Sequence, residues 1–159
     1  MSDMPTYGAP VDALDHGCKR YRECQRCARE HFGLSCIGDL QRYQYGEANG
    51  EKVCLAVNLY SYTLFQFCID DANTCKRALC ECDLAFAKWS GSAVQFYNEE
   101  YQWPANWAPE AQCSSGEGSG ASSMSCCSNE DFTKPFKWFN ANKGKCCLDG
   151  SVKFVADSC

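Results

Sequence analysis

Fifteen of the 159 residues are cysteine, and no other feature constrains this chain so strongly. A short chain this rich in cysteine is a disulfide scaffold, which forms and persists outside the reducing cytosol. Zinc is the rival use of many cysteines, but its sites come as two spaced CxxC pairs or with histidines. Here Cys24 and Cys27 form the lone CxxC, and the only histidines are His16 and His31. Neither a metal nor another cofactor is expected. An odd count of cysteines leaves at least one free, capped or bonded to another molecule.

No run of about 18 apolar residues is present to span a bilayer. The opening Met1-Ser2-Asp3-Met4-Pro5 lacks the apolar core of a signal peptide. A disulfide-rich chain must still be exported, so the expectation is a mature or processed protein that is secreted. The net charge of −5 argues against nucleic acid as a partner. That charge is uneven. Residues 1–125 carry 10 basic and 16 acidic side chains, whereas residues 126–159 carry five lysines and four acids.

Val11, Leu14, Cys18, Tyr21, Cys24, Ala28 and Phe32 recur at intervals of three or four, which predicts a helix over about 11–32. Asp12 and Asp15 suit its N-terminal end, Arg26 and Arg29 its C-terminal end, and Gly33 a C-cap. Lys19, Arg22, Arg26 and Arg29 form a basic stripe on another face. It is either a solvated face, with Asp15–Lys19 and Arg26–Glu30 pairs, or a contact for an anionic ligand or lipid surface. Cys75, Leu79, Cys82, Phe86 and Trp89 predict a second helix over about 74–90, with Asp70, Asp71, Asn73 and Thr74 as candidate caps and Gly91 beyond it.

Between the helices, 34–67 reads as irregular and strand-like. Asn49-Gly50 is a hairpin-turn dipeptide, followed by a β-branched and aromatic run from Val53 to Phe67. Phe96, Tyr97, Tyr101, Trp103 and Trp107 follow without clear period and are expected to wrap the helix pair. Residues 114–125 form a Gly/Ser linker. The chain therefore divides into a first domain over 1–113, that linker, and a small cysteine unit over 126–159.

In that unit Cys126-Cys127 and Cys146-Cys147 are adjacent pairs, with Cys159 alone. Neighbouring residues of a strand point to opposite faces, so each pair staples two different elements. Asn142-Lys143-Gly144 reads as a hairpin tip. The unit weakly resembles the double-cysteine modules of galaxin-like extracellular matrix proteins.

Gly8-Ala9-Pro10-Val11-Asp12-Ala13-Leu14-Asp15, followed by Cys18 and Cys24, resembles the start of the active-site helix of secreted phospholipase A2. Cys75-Lys76-Arg77-Ala78-Leu79-Cys80-Glu81-Cys82-Asp83-Leu84-Ala85 is similar to that family's second long helix, with its C-x4-C-x-C-D-x-x-A pattern. The resemblance covers roughly residues 7–107. It implies a disulfide-rich, mainly α fold: two antiparallel helices with a small β-wing, joined here to a small cysteine-stapled β module. It also implies the bridges Cys24–Cys82, Cys68–Cys80 and Cys36–Cys75. One further family bridge joins the helices, and at its two positions this chain has Gly17 and Trp89. Cys27 and Cys54 are extra and can pair with each other.

The enzymes carry a general-base His and a calcium-ligating Asp in C-C-x-x-H-D-x-C, where this chain has Tyr21 and Arg22. Tyrosine, with a pKa near 10, is a poor base at neutral pH. Arginine cannot bind calcium and repels it. Asp83 resembles the carboxylate that supports the catalytic His, and could accept a hydrogen bond from Tyr21. His16 and His31 lie too far along the helix to substitute, and are expected to be exposed or capping. Only nine residues precede Pro10, so the family's opening helix and calcium loop are expected to be missing.

These features point to a secreted, catalytically inactive phospholipase A2-like protein with a structural, assembly or binding role in a matrix, coat or secretion. The alternatives are a lipid-surface-binding or toxin-like protein, and a calcium-dependent phospholipase A2 completed by another chain. A protein partner or self-assembly is expected, and a membrane surface is an alternative partner. In the family, the cysteine matching Cys18 bonds to the calcium loop. Cys18 is then the odd thiol, either buried and inert or bonded to a separate chain, unless another cysteine takes that place.

Overall fold

The computed structural model describes residues 10–54, 71–101 and 123–159. Its first helix, α1, runs Ala13–Phe32. Asp12 caps it: its Oδ1 accepts the Asp15 N–H at 2.7 Å, while the Val11 N–H reaches back to Asp15 Oδ2 at 3.1 Å. That reciprocal pair satisfies donors that the helix itself leaves open. Gly33, at φ 94°, ends the helix and gives its N–H to the Arg29 carbonyl.

The second helix, α2, runs Cys75–Ala93, with Thr74 as N-cap. It passes through Gly91 rather than stopping there. An interior glycine costs a helix about 1 kcal/mol, but Ala93 beyond it is buried and anchors the last turn. Two short 3-10 turns follow, Val94–Phe96 and Glu99–Tyr101.

The helices are antiparallel, and three cross-contacts fix their register. Trp89 lies on Gly17, the Tyr21 and Phe86 rings stack at 4.6 Å, and Cys24 is bonded to Cys82. A Cβ on Gly17 would collide with the Trp89 ring, so only glycine admits the indole there. The core of Cys24, Cys27, Ala28, Cys36, Ala78, Leu79 and Cys82 fills the space between them. Cys36–Cys75 ties the chain after α1 to the start of α2.

A hairpin of β1 (Tyr45–Ala48) and β2 (Glu51–Cys54) turns at Asn49-Gly50, whose φ values of 54° and 79° are those of a type I′ turn. The rest of the strand-like run, from residue 55 to 67, lies outside the described residues. Cys54, at the end of β2, is bonded to Cys80 on α2. This corrects the expected Cys68–Cys80 and Cys27–Cys54 bridges. The hairpin delivers Cys54 to Cys80 on α2, and Cys27 has another partner; Cys68 itself is outside the described residues.

Cys27 is bonded to Cys126 instead. Cys24 and Cys27, three positions apart, stand on neighbouring rows of one face of α1, about 60° apart around its axis, and each row has its own neighbour. Cys24 meets α2, and Cys27 meets the C-terminal unit. That unit holds β3 (Met124–Cys127) paired antiparallel with β4 (Lys137–Asn140), and β5 (Gly144–Cys146) paired antiparallel with β6 (Val152–Phe154). Residues 142–144 are therefore a corner between two sheets and not a hairpin tip. Cys127–Cys146 and Cys147–Cys159 complete it, so the members of each adjacent pair go to different partners.

The unit is docked on α1. Phe136 joins the main core, Phe132 and Phe136 pack with Phe32 and His31, and Arg26 lies 4.5 Å over the Trp138 ring. Residues 124 and 125 of the expected linker already belong to β3, and 114–122 lie outside the described residues. Phe96 and Tyr97 do not wrap the helix pair: the 3-10 turn carries them past the end of α2, where they are 57% and 45% exposed. Trp103 and Trp107 lie outside the described residues.

Candidate functional site

Of the three positions singled out by the resemblance, Tyr21 and Asp83 meet between the two helices and the segment before β1, and Arg22 does not join them. Tyr21 faces α2 because it shares the buried stripe of α1 with Gly17, Cys24 and Ala28. Its hydroxyl is hydrogen-bonded to Asp83 and accepts the Gln25 Nε2–H at 2.6 Å. Gln25, one turn along α1, also donates to Asp83 Oδ1 at 3.3 Å. Tyr43 donates its hydroxyl to Asp83 Oδ2. Both carboxylate oxygens are thus taken by neighbours on α1 and on the preceding loop.

Burial raises the pKa of Tyr21 well above its ordinary value near 10, and the hydrogen bond to Asp83 and its charge push it further. Tyr43 is raised in the same way, by burial first and then by Asp83. Both phenols hold their protons throughout the neutral range, as donors to one anion. A raised phenol is still less able to take a proton from water than an ordinary one. The arrangement can hold a carboxylate in place and close the helices around it.

Gln25 and Tyr43 were not singled out from the sequence. Gln25 carried a signal, since i and i+4 share a helix face. Tyr43 lies in an aperiodic stretch that gives none.

Arg22, the next residue, is exposed and carries a permanent positive charge, so the donor set at this place does not fit calcium. Among the described residues, no three His, Cys, Asp or Glu side chains converge as a metal site. Of the basic stripe, Lys19, Arg22 and Arg29 are exposed. Arg26 is engaged: it pairs with Glu30 at 3.1 Å and covers Trp138. His16 is exposed, and His31, also exposed, packs edge-on to Phe32 and against Phe132 at the seam with the C-terminal unit.

Cys18 is a free thiol, and it is exposed, so the alternative of a buried group does not hold. It lies one residue beyond the Gly17–Trp89 contact, toward the edge of the α1–α2 seam. Partial desolvation raises its pKa, as do the charges of Asp15 and Asp12, with Arg22 opposing them. The thiol form therefore dominates at neutral pH, and the group reacts slowly unless a partner activates it.

Curated proteins similar to this chain include a phospholipase A2 homolog of Echis carinatus sochureki, 27% identical over 100 residues, which cover 63% of this chain and 66% of that protein. The basic phospholipase A2 DsM-b1/DsM-b1' of Daboia siamensis is 31% identical over 96 residues, 60% of this chain and 55% of its own length. The membrane-associated phospholipase A2 of Mus musculus is 26% identical over 99 residues, 62% of this chain and 56% of its own. The chain thus spans just under two thirds of the first of these relatives and little over half of the other two. No family model matches the chain, and no solved structure does. Together with the disulfide-tied helices, these likenesses show a phospholipase A2-like domain. Among the described residues, no helix is long and apolar enough to cross a membrane.

Proposed function

We propose that this protein is a secreted, catalytically inactive phospholipase A2-like protein with a structural or assembly role outside the cell. The observation that carries the reading is the closed state of Asp83. Its oxygens are held by Tyr21, Tyr43 and Gln25, and the residue in the general-base position is a phenol pushed away from ionisation. Arg22 in the calcium-ligand position points the same way. Relatives named phospholipase A2 homologs are consistent with a phospholipase A2-like chain that does other work.

The assembly role is supported by the double-cysteine unit stapled across α1, which adds rigid surface to the helix pair. An exposed Cys18 supplies a thiol for a covalent link to another chain. A lipid-surface role through the basic stripe is less well supported, because Arg26 is spent on Trp138 and Glu30.

The test is hydrolysis of phosphatidylcholine in mixed micelles, with calcium present or chelated. No fatty-acid release above the buffer blank is expected. Calcium-dependent release that disappears in Asp83→Asn would overturn the inactive reading. Intact mass with and without reductant then shows whether a second chain is attached.

A further inference from the structure

We infer that copies of this chain join head to tail, an acidic aromatic knob after α2 of one copy seating in a basic aromatic groove of the C-terminal unit of the next. The inference rests on the assembly role proposed above and names its partner. The groove, about 740 Å³, lies along β4, β5 and β6. Lys143, Lys153, Phe139 and Phe154 line it, with Asp157 as the one acid. Phe154 is 72% exposed. Lys153 donates to the Ser158 carbonyl at 2.8 Å, whereas nothing among the described residues pairs with the Lys143 ammonium. An exposed aromatic beside an unpaired cation is surface suited to an acidic, apolar partner.

The knob offers that chemistry. Phe96 and Tyr97 are exposed after the end of α2, and the next turn presents Glu99 and Glu100, both exposed. Opposite charges and shared aromatic area make the two surfaces complementary. They also lie at opposite ends of α1. The 3-10 turn Val94–Phe96 packs toward the start of that helix, just beyond the Trp89–Gly17 contact, whereas the C-terminal unit is anchored at Cys27 and Phe32. Twenty helical residues span about 30 Å. The knob side chains Phe96 and Tyr97 are exposed in the folded chain, so they do not fill the groove of their own copy. A contact between different patches is heterologous, and repeats into a ring or a filament.

The test uses the full oxidised chain carrying Cys18→Ser, so that no bridge through that thiol contributes. Sedimentation velocity across a concentration series should show growing oligomers that dissolve at high salt. Reversing the groove, Lys143→Glu/Lys153→Glu, should weaken association about tenfold or more, and so should reversing the knob, Glu99→Lys/Glu100→Lys. An equimolar mixture of the two variants restores both complementary junctions and should assemble again. That recovery also shows that each variant is folded. If the unmodified chain assembles but both reversals leave it unchanged, this interface is wrong while the assembly role stands. A chain that stays monomeric at every concentration, with Cys18 present or replaced, would remove both.

Discussion

The helix pair and the C-terminal unit solve the same problem with different materials. Between α1 and α2, apolar packing and covalent ties work together: Leu79 is fully buried, Tyr21 stacks on Phe86, and Trp89 fills the space over Gly17 around one inter-helix bridge. The C-terminal unit has four short strands in two separate pairs, and of its large apolar side chains only Phe136 is buried. Two-stranded sheets of this size are marginal alone. Cys127–Cys146 and Cys147–Cys159 hold the unit's shape, and Cys27–Cys126 holds it to the domain. Removing cross-links should therefore affect the two regions unequally.

The largest expected effect is loss of the tie between them. Cys36–Cys75, with a sequence separation of 39, is nested inside Cys24–Cys82, with a separation of 58, so losing the latter still leaves the chain after α1 tied to the start of α2. No other described bridge reaches the C-terminal unit. On the chain-entropy account, Cys27→Ala/Cys126→Ala should cost ~4 kcal/mol and Cys24→Ala/Cys82→Ala ~2–3 kcal/mol. Thermal melts under oxidising conditions measure both. A lower Tm for the Cys24/Cys82 variant than for the Cys27/Cys126 variant would mean that packing around the inter-helix bridge outweighs loop closure. An unchanged Tm in the Cys27/Cys126 variant would mean that the aromatic seam of Phe32, Phe132, Phe136 and Trp138 suffices to seat the unit.

What could be read from sequence follows the same division. The helices were legible because apolar residues repeat at helical spacing, and the Asn49-Gly50 turn because only certain residues adopt positive φ easily. The bridges implied by likeness, Cys24–Cys82 and Cys36–Cys75, join elements that the likeness covers, and the structure has both. Cys27 lies on the same helix, yet its partner is 99 residues away in a region outside the likeness. Spacing carries no connectivity. Assigning Cys27 to Cys54 filled a gap in the count, and the docked unit was missed with it. Tyr43 was missed for a related reason: a hydroxyl brought to Asp83 by a loop leaves no periodic trace.

The next effect is smaller and isolates the packing between the helices. Alanine normally strengthens a helix interior by about 1 kcal/mol over glycine. At position 17 its methyl would collide with the Trp89 ring, so the indole must move. Gly17→Ala should lose ~1–3 kcal/mol by denaturant unfolding, as overpacked cores do. Stabilisation instead would mean that the ring relaxes freely and that the close approach of the helices owes little to it.

The smallest effect lies at Asp83 and is read from pH. Burial and the neighbouring carboxylate raise the folded pKa of Tyr21 and Tyr43, while the unfolded chain's tyrosines titrate near 10. For a group whose folded pKa is raised, the stabilisation is complete below the unfolded value and is lost as pH rises toward the folded one. Stability should therefore hold to about pH 9 and fall above pH 10, as the unfolded chain releases protons that the folded one keeps. In a spectrophotometric titration of the native protein, Tyr21 and Tyr43 should ionise late, well above the ordinary tyrosine range. Tyr21→Phe removes one late proton and one partner of Asp83, at a cost of about 1 kcal/mol at neutral pH, and flattens the alkaline fall. The helix pair and the C-terminal unit separate here too, because neither of these phenols belongs to the unit. Two late protons that persist in the Tyr21→Phe/Tyr43→Phe double variant would place the perturbed phenols elsewhere and leave the closed state of Asp83 without its main support.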